Sequence, residues 1–232
     1  MALSAQDLKT ALRQFATPAQ AKTAAWFFKT GPGEYGEGDQ FIGVKVPQIR
    51  AVCRQFKNLP LKEVETLLHS PIHEHRLAAV IILNGQYAQQ PNQVLMLYLK
   101  ALDDGFVNNW DIIDSSCEHI VGAHVYANGG DLLQQLASGD LWHKRVAMVS
   151  TFAWLKKGEP GPTLEIAELL WQEKHDLLQK AVGWMLRELG KRVDEELLTD
   201  FLDRHAHQMP RTQLRYALER LPEHRRRHYM NV

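Results

Sequence analysis

Asn108–Val121 reads NNWDIIDSSCEHIV, and the rest of the chain is organised around it. Asn109 is a good helix N-cap, because its side-chain oxygen can accept from the free N–H groups at a helix start. Trp110 is then the first helical residue, and one helix is expected to run through NWDIIDSSCEHIVGAHV. On that helix Ile113, Cys117 and Ile120 share an apolar stripe that faces a core. Trp110 and Asp114 are four residues apart and therefore neighbours at the edge of this stripe. Asp111, in the first turn, suits the helix dipole. Trp110 reads either as core or as part of a site. Asp114 lies past the first turn, so capping does not explain it, and an unpaired carboxylate beside apolar residues is costly. Asp114 is thus a candidate functional group.

Outward from this stretch, helix follows helix with Gly, Pro or Asn punctuation, and no alternating strand pattern occurs. Ser4 caps SAQDLKTALRQF, and a second helix runs from Pro18 to about Lys29. Gly31–Val46, GPGEYGEGDQFIGVKV, holds five glycines and a proline, which excludes a regular helix. A connection this long inside a domain is often functional. The helices also recur. EHRLAAVII, WHKRVAMVS and LLQKAVGWM, with PRTQLRYAL as a weaker copy, each place a basic residue at the opening of an apolar run. Arg76, Arg145, Lys180 and Arg215 stand at intervals of 69, 35 and 35, and the midpoint of the long interval falls at Trp110 and Asp111. Each copy is a helix pair that buries its apolar face only by stacking on the next. The expected fold is all-α, an α-solenoid of helical repeats with a concave basic face, and residues 1–232 form a single domain. That face should carry Asp114, Arg145, Lys180, Arg187 and Arg215. Lys180, Trp184 and Arg187 are spaced four and three apart, so one helical face presents Lys, Trp and Arg together. Basic groups beside aromatic planes suit a phosphate backbone with sugars packed on the rings, although solvated charges are the plainer reading of each cation alone.

Composition narrows the partners. Lys plus Arg number 27 and Asp plus Glu number 27, so net charge is zero and gives no direct sign of nucleic acid. Cys53 and Cys117 fall at apolar positions and read as buried thiols of a reducing compartment. No stretch approaches the roughly 18 apolar residues of a membrane span, so a soluble cytoplasmic chain is expected. His69, His73 and His75 cluster, as do His119 and His124, but without the spacing of a zinc site, so no metal is expected. GPGEYGEGD lacks the lysine and preceding strand of a phosphate loop.

These residues resemble a known family. FFKTGPGEYGEGDQFIGVKVPQIR, NWDIIDSS, LWHKRVA and QKAVGWMLRELGK occur in the order and spacing of the AlkD-like DNA alkylation repair glycosylases, from about Ala21 to Arg192. The resemblance implies a fold of HEAT-like repeats. It also implies excision of positively charged N3- and N7-alkylated purines from duplex DNA by a monomer that needs no cofactor. It implies Asp114 as the catalytic carboxylate, Trp110 and Trp184 as rings packed on the lesion's deoxyribose, and Arg145 as a backbone clamp. Lys144, Lys180, Arg187, Arg76 and Arg215 are the further candidate DNA contacts. Two positions depart from the family pattern: Asn109 stands where an aromatic often precedes the Trp, and Phe27 where an early-helix tyrosine is usual. A non-catalytic solenoid scaffold binding DNA or protein is the alternative reading. A protein-binding module using the 31–46 stretch would show an exposed apolar patch there.

Overall fold

Sixteen α-helices account for most of the described residues, 3–231, of the computed structural model. No strand occurs among them; one isolated parallel bridge joins Gln40 to Ile72. The chain divides after Ser116 into two units, each with its own core. The helical-repeat fold expected from the periodicity is what the structure has.

The first unit holds α1 (Ala5–Arg13), α2 (Pro18–Phe27), α3 (Val46–Gln55), α4 (Leu61–Leu68), α5 (His73–Gln86), α6 (Pro91–Asp103) and α7 (Trp110–Asp114). Ser4 and Asp7 form a reciprocal capping box that starts α1. Helix α5 is the centre: α3, α4, α6 and α7 all pack on it. It buries His73 through Val80 without interruption, as a helix surrounded on all sides must. Helix α2 buries no residue at all, and its Trp26 is 81% exposed.

The second unit begins with a π-helical turn, Glu118–Gly122. It continues with α8 (Ala123–Asn128), α9 (Leu132–Ala137), α10 (Leu141–Ser150), α11 (Phe152–Leu155), α12 (Gly161–Leu170), α13 (Asp176–Arg192), α14 (Glu195–His205), α15 (Arg211–Leu218) and α16 (Glu223–Met230). Helices α10, α13 and α15 pack on one another in succession. The 35-residue interval is therefore the step from one stacked helix to the next, and Arg145, Lys180 and Arg215 each lie about one turn into theirs. Gly183 makes the α13–α15 step possible, since a Cβ there would meet the Gln213 carbonyl oxygen at 2.4 Å.

The expected single helix from Trp110 onward is broken instead. Helix α7 ends at Asp114, because the Ser116 hydroxyl donates to the Ile112 carbonyl at 2.7 Å and Asn84 donates to the Ser115 carbonyl at 2.7 Å. Serine back-bonding of this kind bends helices. Helix α16, EHRRRHYM, was not visible in the periodicity: Tyr229 is its one buried residue.

Candidate active site

Helix α7 is one turn long, and its surroundings fix it. Asn109 is fully buried, and its Oδ1 accepts the Trp110 N–H at 2.8 Å. Asn109 thus caps the helix. The half-buried Trp110 indole donates through Nε1 to the Tyr35 hydroxyl at 3.3 Å. Its ring lies 5.4 Å from Phe28 and meets Phe27 edge-on at 6.0 Å. Phe28 stacks on Phe41 at 5.3 Å, and Phe41 on the His73 imidazole at 4.6 Å. One row of rings thus runs from α5 to Trp110. Such packing restrains an aromatic well beyond what its buried area provides.

Tyr35 and Phe41 belong to the glycine-rich stretch, so its placement decides where Trp110 sits. That stretch is clamped to the start of α5. The Glu74 carboxylate accepts the backbone N–H groups of Ile42, Gly43 and Val44, the shortest at 2.7 Å. Gly43 has φ +80°, and a Cβ there would strike the Thr17 carbonyl oxygen at 2.2 Å. No other residue fits. Asp39 is a second clamp. Its Oδ1 accepts from Arg76 Nη2 at 2.6 Å and from Asn108 Nδ2 at 3.2 Å, and its Oδ2 faces His73 Nδ1 at 3.3 Å. Burial pushes the Asp39 carboxyl upward, but hydrogen bonding from His73 and the charges of Arg76 and His73 outweigh it and hold it below the usual range.

Asp111 does more than favour a dipole. Its Oδ1 accepts the Ile112 N–H and its Oδ2 faces His73 Nε2, both at 2.8 Å. Burial opposes a charge on His73, but the Asp111 and Asp39 carboxylates override it and raise its pKa to about 9. A cavity of about 380 Å³ opens beside this pair, walled by Phe27, Phe28, Phe41 and Leu77.

The candidate residues fall as follows. Trp110 and Asp114 are the first and last residues of α7, and Asp114 is partly exposed. Arg76 is not a surface cation. It is 2% exposed, with Nη1 donating to the Ser70 carbonyl at 2.8 Å and its charge neutralised by Asp39, so it serves the core of the first unit. The repeat phasing identified its position but could not distinguish an inward from an outward cation. Arg145 is likewise buried, 4% exposed, and donates to the Leu177 carbonyl at 2.5 Å. Lys144 pairs with Glu173 and Lys180 with Asp176, each at 2.6 Å. Arg187 pairs with Glu188 at 3.1 Å and with Glu219. Arg215 is exposed. Partly exposed pairs like these contribute little to stability and exchange readily for another anion. Trp184 is half-buried on α13, 6.1 Å from the Phe152 ring, over which Arg192 and Lys156 also lie at 4.8 and 5.0 Å. Sequence reasoning missed Asp39 and His73 as parts of the site. Their partners lie 34 and 38 residues away in sequence, where helical spacing carries no information.

A sequence model of the DNA alkylation repair enzyme family matches residues 8–221. The chain belongs to that family. A predicted DNA alkylation repair enzyme from Enterococcus faecalis has a similar structure, with a TM-score of 0.72 over 90% of this chain and 97% of the other at 16% identity. At that identity the likeness speaks to the fold. No curated protein matches the chain. The family match takes in α7 with Trp110 and Asp114, and ends before α16. No helix among the described residues is long and apolar enough to cross a membrane.

Proposed function

We propose that this DNA alkylation repair family member is a DNA glycosylase that removes positively charged N3- and N7-alkylated purines from duplex DNA. The observation that carries the reading is Asp114 one turn after Trp110, on a helix whose aromatic is fixed by Tyr35 and Phe28. An alkylpurine that already carries positive charge leaves without protonation. The C1′–N bond breaks, its electron pair neutralises the purine, and the sugar becomes oxocarbenium-like. Asp114 stabilises that cation and orients the water whose oxygen adds to C1′ and whose proton passes to the carboxylate and on to solvent, leaving a free base and an abasic site. The Trp110 ring supplies a cation–π surface to the same sugar, and Trp184 is proposed for the same role. Lys144, Lys180, Arg187 and Arg215, the candidate cations that keep some exposure, are proposed to hold phosphates. Arg145 and Arg76 are both buried, and neither is proposed to reach a phosphate directly.

A second reading has one observation in its favour. Trp26 and Phe27, 81% and 54% exposed, form an apolar patch beside the glycine-rich stretch, as a binding module would need. Single-turnover release of N7-methylguanine from duplex DNA separates the two. The glycosylase reading expects free base and abasic sites from the wild type, with release by Asp114→Asn lowered about a hundredfold, the scale of losing one preorganised electrostatic group. Binding of the same duplex should hold or tighten. Binding without any release of base would favour the non-catalytic reading, and release by Asp114→Asn at the wild-type rate would remove Asp114 from the mechanism.

A further inference from the structure

A single helical turn does not hold itself together in water, because nucleation costs more than one turn of hydrogen bonds returns. Helix α7 has five residues and stops at the Ser115–Ser116 bend. Its position must come from what its side chains touch. A charged tie reaches it from α5, Asp111 to His73. His73 is 2% exposed, opens α5, and faces a carboxylate oxygen with each ring nitrogen, Asp39 Oδ2 at 3.3 Å and Asp111 Oδ2 at 2.8 Å. An ionised carboxylate has no proton to give, so both nitrogens must donate, and only the imidazolium has two N–H groups. The same ring packs on Phe41 at 4.6 Å and on Phe28 at 4.9 Å, and Phe28 packs on Trp110.

We propose that His73, as an imidazolium, is a positioning residue: it locks α7, with Trp110 and Asp114, to the glycine-rich stretch, and base excision depends on its proton. The proposal rests on the glycosylase reading for its link to excision. The charges acting on His73 come from three elements: Asp111 of α7, Asp39 of the stretch, and Arg76 of α5 itself, which opposes the imidazolium. Glu74, the next residue on α5, is committed to the backbone amides of Ile42, Gly43 and Val44. The N-terminal end of α5 also disfavours a cation, so the two carboxylates hold the proton against both burial and the dipole. A raised pKa means the lock is complete at neutral pH and is lost as pH rises through about 9. Above that, the neutral ring keeps one N–H, and its other nitrogen turns a lone pair to a carboxylate.

The test is single-turnover release of N7-methylguanine by wild type, His73→Gln and Asp111→Asn from about pH 6 to pH 10.5, with duplex binding measured alongside. The indole N–H signal of Trp110, assigned by its loss in Trp110→Phe, is followed over the same range. Wild-type release should be level to about pH 8 and fall with a midpoint near 9. His73→Gln should release base at least about tenfold more slowly at pH 7, the scale of a small misplacement of catalytic groups. It should bind DNA within about twofold of wild type and show no fall near 9. Release by His73→Gln within twofold of wild type, or an unchanged alkaline fall in that variant, overturns the proposal. Should His73→Gln not fold, Asp111→Asn decides: it removes the larger carboxylate influence and should move the alkaline midpoint down by at least about one pH unit, and an unmoved midpoint overturns the proposal. Should wild type release no base at any pH, the glycosylase reading fails by itself. The lock is then judged by the indole signal: a shift with a midpoint near 9 that is absent from the variants supports it, and a flat signal overturns it.

Discussion

Replacing Asp39 by Asn isolates the charge that holds the glycine-rich stretch to α5. Both partners of the Asp39–Arg76 pair are out of water, at 4% and 2% side-chain exposure, and are 2.6 Å apart. Asn keeps the size but no longer neutralises Arg76, whose Nε already lacks a partner among the described residues. The introduced amide oxygen can still accept from Nη2, and the Ser70 carbonyl and Asn108 Oδ1 remain, but no negative charge is left beside the guanidinium. Removing one member of a buried pair leaves the other charge uncompensated, which costs about 3–5 kcal/mol. For a chain of this size that is a fall in melting temperature of about 10 °C. Arg76→Met removes the stranded charge, so the double variant should recover about 2 kcal/mol relative to the sum of the singles. The assay is urea unfolding at pH 7 of wild type, both singles and the double. Acid supplies a second axis. The Asp39 carboxyl is held below its usual value, so its contribution is fully present above the ordinary carboxylate range and is lost as pH falls through the lowered folded value. The gap between wild type and Asp39→Asn should therefore close only in strong acid. Additive singles, or a loss under 1 kcal/mol in Asp39→Asn, would refute the reasoning.

Glu74→Gln keeps one acceptor for the three amides of residues 42–44 and turns an NH2 toward the rest. It should cost about 2–4 kcal/mol in urea unfolding, on the scale of lost hydrogen bonds to a charged acceptor; a change under 1 kcal/mol would show the stretch held by other means. Trp184→Ala should slow single-turnover base release more than it weakens duplex binding, since a sugar-facing ring acts most when the sugar is cationic. Equal losses in both would assign Trp184 to binding or packing. Arg215→Ala should reduce the slope of log K against log salt by about one in a binding titration, with no change in melting; an unchanged slope takes Arg215 out of the interface.

The helical repeat was legible because it depends on local periodicity. Leu8 and Leu12, and Ile113 and Cys117, follow from spacing within one or two turns, and all four are buried. The break after Asp114 was not legible, because it depends on where the Ser116 hydroxyl points and on Asn84, far away in sequence. The same limit hid the inward orientation of Arg76. A basic residue at a repeat position looks alike whether it meets phosphate or a carboxylate delivered by a loop 37 residues earlier. Asp111 was read as serving its own helix because its partner on α5 is equally remote. Asp114 and Trp110 could be singled out from sequence because their relation is local, four residues along one helix.

The amides of Ile42, Gly43 and Val44 have no partner within their own segment. Their acceptor is a carboxylate on α5, and α5 is the helix on which the first unit is built. In hydrogen exchange these coil amides should therefore behave as members of the α5 cooperative unit, protected to nearly the same free energy as the helix. The order of events in folding follows as well. A glycine-rich segment whose bonding partner lies on another element cannot settle until that element has formed. The first unit should pass through a stage in which its core is complete while the segment carrying Tyr35, Asp39 and Phe41 is still open, and the surroundings of Trp110 would be the last part of the unit to form.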